Sequence, residues 1–220
     1  MINLEGLNKL GYDSISLMVS GTREELNYID KEIRDYIEEE ECEDKYSINI
    51  FIDICATNLE TQEKINIGKL TGTFFEPEIV MDDISFYDLC DSIDTDLEHM
   101  AAAIVDEDEC IKEEICECGE NLMYIDRIFI EEKFRGLGIA SYVIHSLNTI
   151  LEYSVNLSPN VLILLPVPQE KGEDGLLQEV SDEKKNELDK KKLFKLYEKL
   201  GFEKLEDSNY MIKRTKERYL

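Results

Sequence analysis

The sequence predicts a mixed α/β fold, a single sheet holding both antiparallel and parallel strands, and two observations carry that reading. Tyr46, Ile48, Ile50, Ile52 and Ile54 alternate without a break against Ser47, Asn49, Phe51, Asp53 and Cys55, the period of two that lays one face of a strand on a core. A polar turn over 58–63 and a second strand over 64–75, ended by Glu76-Pro77, make this run one arm of a hairpin. Further along, a strand over 123–130, a glycine-bearing loop, a helix over 136–151 and the apolar run 161–165 follow one another. That order is a βαβ unit, and it requires a parallel pair.

The remaining elements fall around these two units. Residues 13–20 form a first strand closed by Gly21; Thr22 caps a helix reaching about residue 41, with Glu25 completing a capping box. Phe86, Leu89, Ile93, Leu97, Met100 and Ile104 recur every three or four positions, so 85–105 reads as one amphipathic helix inserted between the third and fourth strands. Residues 106–120 are an acidic connector and 167–187 a long polar loop. The last helix spans 190–200 and stops at Gly201, and 202–205 with 210–213 close the chain as a hairpin. No internal repeat and no linker rich in Pro, Gly or Ser divides the chain, so residues 1–220 are expected to form one domain with an acidic part, 1–121, and a second part, 122–214.

A chain of 220 residues with 43% hydrophobic side chains can bury a core without disulfide or metal staples. Its longest apolar stretch, 161–165, is too short to span a bilayer, and its opening residues carry no basic segment followed by an apolar one. The expectation is a cytoplasmic protein, apart from membranes, whose six cysteines are reduced thiols. Cys110, Cys116 and Cys118 lack the paired spacing of a zinc site, and no metal is expected. Neither a G-x-S-x-G elbow nor a phosphate-binding G-x-x-x-x-G-K-[ST] loop occurs.

Charge is the unusual property. The chain holds 24 Lys and Arg against 50 Asp and Glu, a net charge of −26. Residues 1–134 contain 10 basic and 36 acidic side chains, whereas 135–220 contain 14 of each. Such a surface excludes nucleic acid as a partner. It serves solubility, or it attracts a cation.

Chemistry concentrates at Arg135-Gly136-Leu137-Gly138-Ile139-Ala140, between a strand and a helix. Two glycines let the backbone bend tightly and leave its N–H groups bare at the positive end of the helix dipole. The segment is either a pyrophosphate cradle or a helix entry that happens to use glycine. In Arg135-x-x-Gly138-x-Ala140 the chain resembles the Gcn5-related N-acetyltransferase (GNAT) superfamily, whose acetyl-CoA signature has this spacing. Ile128 and Ile130 stand at the aliphatic positions of the preceding strand, and Leu196-Tyr197-Glu198-Lys199-Leu200-Gly201-Phe202 matches a second element of the family.

The resemblance implies a GNAT-like acetyltransferase fold and acetyl-CoA as donor, wedged between two splayed parallel strands. Backbone groups of Ile128, Phe129 and Ile130 would meet the pantetheine arm, one N–H polarising the thioester carbonyl. Arg135, Gly136, Leu137, Gly138, Ile139 and Ala140 would take the pyrophosphate. Tyr197 occupies the place of a general acid for the departing thiolate; read from its neighbours Leu193 and Leu200, it is equally a core aromatic. Asp126, placed on the strand face of Ile128 and Ile130, is the candidate base or a surface group paired with Arg127.

The chain departs from the family in two ways. Lys190 stands where an asparagine often holds the pantetheine, and the helix over 85–105 interrupts the strands. Lys190, Lys191 and Lys192 are either a solvated helix start or a contact for the 3′-phosphate of CoA. The function expected is transfer of acetyl to a primary amine of a cationic small molecule or a basic protein. The rival is an acidic, non-catalytic protein that docks a basic partner and retains a vestigial or regulatory CoA site. A homodimer is left open by the sequence.

Overall fold

The computed structural model describes residues 2–21, 47–77, 85–117, 119–172 and 177–215. The helix expected after Thr22 lies outside the described residues. In chain order the elements are α1 (Leu4–Lys9), β1 (Ser14–Gly21), β2 (Ser47–Thr57), β3 (Lys64–Phe75), α2 (Phe86–Ile93) and α3 (Thr95–Ile104). Then come β4 (Leu122–Ile130), a 3-10 turn (Glu132–Phe134), α4 (Ile139–Val155), β5 (Val161–Leu164), β6 (Gln169–Lys171) and β7 (Leu177–Glu179). The chain closes with α5 (Glu183–Lys199), β8 (Glu203–Lys204) and β9 (Met211–Arg214).

Seven strands form one mixed sheet in the order β1-β2-β3-β4-β5-β9-β8, and β6 pairs with β7 apart from it. Every neighbouring pair is antiparallel except β4 and β5. The β2–β3 hairpin follows its alternation: Ile50, Ile52 and Ile54 are sealed while Phe51 is 47% exposed. Its turn is held by Asn58, whose backbone N–H donates to the Glu63 carbonyl and whose Oδ1 accepts from the N–H groups of Glu60 and Thr61.

Alternate residues of β4 enter two separate cores. Met123 and Ile125 join Val143, Ile144, Leu147 and Leu151 of α4 on one face. Leu122 and Tyr124 join Phe86, Leu89, Leu97, Met100 and Ile104 of α2 and α3 on the other. A strand buried on both faces cannot alternate with polar residues, which explains the apolar opening of β4. Each fully buried Leu, Ile or Phe contributes about 1.5–3 kcal/mol of transfer free energy.

Several sequence expectations are corrected. Residues 85–105 form two helices, because Asp94 is fully extended (φ −162°, ψ 164°) and turns its carboxylate to the Leu97 N–H at 2.8 Å. The apolar spacing runs through this corner because both helices pack on one core. The acidic connector is partly internal, burying Ile111, Ile115 and Cys116. Its end is tied to β9 by an Arg214–Glu120 ion pair at 2.7 Å.

The segment 167–187 contains the β6–β7 hairpin and the first turn of α5. The α5 start is capped by Asp182, which accepts the Lys185 N–H at 2.8 Å, so Lys190, Lys191 and Lys192 lie inside the helix rather than at its start. Helix α1 was not anticipated; Asn3 caps it and Leu7 seals it to the core. Among the described residues no helix is long and apolar enough to cross a membrane.

Gly72 shows how tightly β3 and β4 approach: a Cβ there would collide with the Tyr124 carbonyl oxygen and crowd the Ile125 backbone. Gly72→Ala is therefore expected to cost about 1–3 kcal/mol, the usual range for overpacking, read as a lower urea midpoint at unchanged slope.

Candidate active site

The site arises where β4 loses β5 as its neighbour. The parallel ladder runs from Leu122 opposite Val161 to Ile125 opposite Leu164 and ends. Pro166 and Pro168 follow closely on β5 and cannot donate to a ladder. Strand β4 continues to Ile130 without a strand partner on that side.

On its other side β4 carries a bulge. Thr73 pairs with Tyr124 and Thr71 with Arg127, so three steps along β4 answer two along β3. The extra residue reverses the phase of the strand. Ile128 and Ile130 consequently pack on the same core as Met123 and Ile125. The expectation that Asp126 shares the face of Ile128 and Ile130 is corrected accordingly: the parity that joins them in the sequence is broken at the bulge.

Between the diverging strands lies a cleft of about 520 Å³, in the range of small-molecule sites. Ile125 to Ile130 form one wall and Leu164, Leu165, Val167 and Pro168 the other. The first turn of α4 lies against one part of it. Helix α5 contributes Lys185, Asp189, Lys192, Leu193, Leu196 and Tyr197.

Gly136 and Gly138 both adopt left-handed backbone, at φ 76° and 79°, where a Cβ would be strained. Gly138 is the N-cap of α4, and neither a side-chain cap nor an acidic residue occupies its first turn. Helices α1, α2, α3 and α5 are each capped by a side chain. The α4 terminus therefore presents uncapped N–H groups beside the cleft, with Gly136, Gly138, Ile139, Ala140 and Ser141 lining it. Arg135 is held nearby: its Nε donates to the Ile130 carbonyl at 2.9 Å and its guanidinium lies 5.4 Å from the Phe129 ring centre.

Ile128, Phe129 and Ile130 also line the cleft, together with Arg135, Gly136, Gly138, Ile139 and Ala140. Leu137 does not. It packs into the core, and its carbonyl accepts the Asn3 N–H at 2.8 Å, which ties the loop to α1.

Tyr197 is both a core aromatic and a cleft residue. It is 6% exposed, stands edge to face with Phe202 at 5.6 Å, and borders the cleft. Burial pushes its phenol up to about 12, so it is a neutral acid at physiological pH. Asp126 accepts a 2.7 Å hydrogen bond from the Thr71 hydroxyl on Oδ2. No ion pair with Arg127 forms among the described residues, and the Arg127 Nε is buried without a hydrogen-bond partner. Asp126 also borders a second cavity of about 120 Å³, beside Tyr124 and the Asp94 corner of α2 and α3.

Sequence reasoning missed Ser141 and, on the cleft face of α5, Lys185 and Asp189. The signal for α5 was present: Asp182 as a cap, then Lys185, Asp189, Lys192 and Leu196 at helical spacing. Burial pushes the thiols of Cys90 and Cys116 up to about 12, helped by nearby carboxylates, which keeps them protonated and poor metal ligands. His99 and His145 are exposed.

No protein-family model and no curated protein matches this chain. Among solved structures it is similar to AtaTR bound with AcCoA, at 13% identity and a TM-score of 0.39, covering 90% of this chain and 93% of that one. It is also similar to AtaT complexed with acetyl-methionyl-tRNAfMet, at 15% identity and a TM-score of 0.35, covering 92% and 95%. A third likeness is to Arabidopsis thaliana NAA60 in complex with a bisubstrate analogue, at 10% identity and a TM-score of 0.38, covering 92% and 100%.

The burial of Tyr197 can be read directly. In an alkaline titration of phenolate absorbance, the difference between the wild type and Tyr197→Phe is expected to have its midpoint near pH 12; a midpoint near pH 10 would mean that the phenol meets bulk water.

Proposed function

We propose that this protein is an N-acetyltransferase that moves the acetyl group of acetyl-CoA to a primary amine on a cationic acceptor. One observation carries the reading: a single cleft brings together the stretch of β4 beyond its ladder with β5, the uncapped start of α4 and the buried phenol of Tyr197. The donor set suits a long anionic ligand. Bare N–H groups at a helix start, with Arg135 beside them, favour a pyrophosphate; Lys185 and Lys192 also line the cleft, each paired with a carboxylate there, Glu170 and Asp189, and the apolar walls suit the pantetheine arm.

The residues divide the work. Asp126, fixed by Thr71, takes the proton that the ammonium must lose before its nitrogen attacks. The β4 edge supplies N–H groups to polarise the thioester carbonyl. Tyr197 gives its proton to the departing thiolate. The balance is an ammonium and a thioester consumed, an amide, a thiol and one proton formed. The charge of −26 supports a cationic acceptor and argues against nucleic acid.

Millimolar acetyl-CoA is expected to raise the melting temperature, since binding only the native state stabilises it. Ser141→Asp should cancel that rise: aspartate suits the first turn of a helix and keeps the fold, but its charge repels the pyrophosphate. An unmoved melting curve for the wild type would defeat the reading. Tyr197→Phe is expected to lower kcat by roughly ten- to ten-thousand-fold while the acetyl-CoA shift persists; equal kcat would leave Tyr197 a core residue only.

A further inference from the structure

The second cavity lies across the β4 bulge from the cleft, and helices α2 and α3, inserted between β3 and β4, build one side of it. Asp94 and Asp96 enter from that corner, Asp126 from the bulge and Phe51 and Thr71 from the sheet. Asp94 gives only Oδ1 to the helix cap, and Thr71 occupies only Oδ2 of Asp126.

The independent observation is Tyr124. Its side chain is 4% exposed and lines the cavity, yet its hydroxyl has no hydrogen-bond partner among the described residues. The ring is sealed while its hydroxyl lines the cavity, so a ligand there can take up that hydrogen bond in place of water. Burial and the neighbouring charges of Asp96, Asp126 and Asp94 all push its ionisation upward, so the hydroxyl stays neutral and can accept a hydrogen bond.

Resting on the acetyltransferase reading, we infer that this cavity is the acceptor pocket and that it takes the end of an unbranched aminoalkyl chain, an ammonium on methylenes. An ammonium offers three donors and no acceptor, which suits carboxylate oxygens and the Tyr124 hydroxyl together. At about 120 Å³ the cavity has room for roughly four water-sized groups. A terminal aminoalkyl segment fits. Phe51, exposed at the cavity, gives the methylenes an apolar surface. Asp126 borders both cavities, so an amine held here reaches the cleft through the residue that takes its proton. Asp94 and Asp96 set specificity and are not catalytic.

Two sources present such a chain, a free polyamine and a lysine side chain, and the experiment separates them. Calorimetric titration of the full chain, saturated with CoA, would use spermidine, an N-terminally blocked lysine peptide and an unblocked alanine peptide as probes. Spermidine or the lysine peptide is expected to bind, the tighter naming the source, and the alanine peptide is not. Asp96→Asn and Tyr124→Phe should each weaken binding by about threefold or more. In acetylation assays the loss should appear in KM rather than in kcat. Binding of the alanine peptide alone, no binding of any probe, or equal affinity in both variants would overturn the pocket. Acetyl-CoA melting shifts measured on the same variants report separately on the acetyltransferase reading. If spermidine binds and loses affinity in Asp96→Asn while acetyl-CoA gives no shift, the pocket stands and the transferase reading fails.

Discussion

One extra residue in β4 governs the rest of the structure. Between Tyr124 and Arg127 the strand takes three steps where β3 takes two, and within that stretch the parallel ladder to β5 ends. Had β4 kept phase, Ile128 and Ile130 would continue the face of Leu122, Tyr124 and Asp126 and lose their burial against the α4 core. The bulge turns the aliphatic residues inward and leaves Asp126 between two cavities. The cleft and the acidic pocket are the two sides of this one irregularity.

Gly72 is part of the same constraint. Where β4 bulges, its backbone comes close enough to β3 that a side chain at position 72 would strike the Tyr124 carbonyl. Gly72 permits that approach, and Tyr124 packs into the α2–α3 core. Its ring stands edge to face with Tyr210 at 6.3 Å, a contact that adds to its burial.

The sequence made legible what local patterns encode. Alternation over 46–54 located β2 and its inner face, and the order strand, glycine loop, helix, apolar strand located the parallel pair and the start of α4. Non-local geometry stayed hidden. Nothing in the spacing from Ile93 to Leu97 reveals that Asp94 breaks the helix, because both halves pack on one core. Strand parity misplaced Asp126, since a bulge is visible only from the register with β3. Lys185 and Asp189 on the cleft face of α5 were lost by starting the helix at residue 190, although Asp182 carried the cap.

Helix α5 is seventeen residues long, yet Tyr197 is its only buried residue, and Leu188 is 60% exposed. Its start is strapped to the β6–β7 hairpin by the exposed Lys185–Glu170 pair at 2.7 Å, a contact worth little in water. Much of its inward surface looks onto the cleft instead of onto protein. A helix so placed opens by local unfolding more readily than the sheet beneath it. A molecule filling the cleft would supply contacts that α5 lacks, so binding and the completion of the hydrophobic core would be one event, with amide exchange in α5 slowed far more than in β2 or β3.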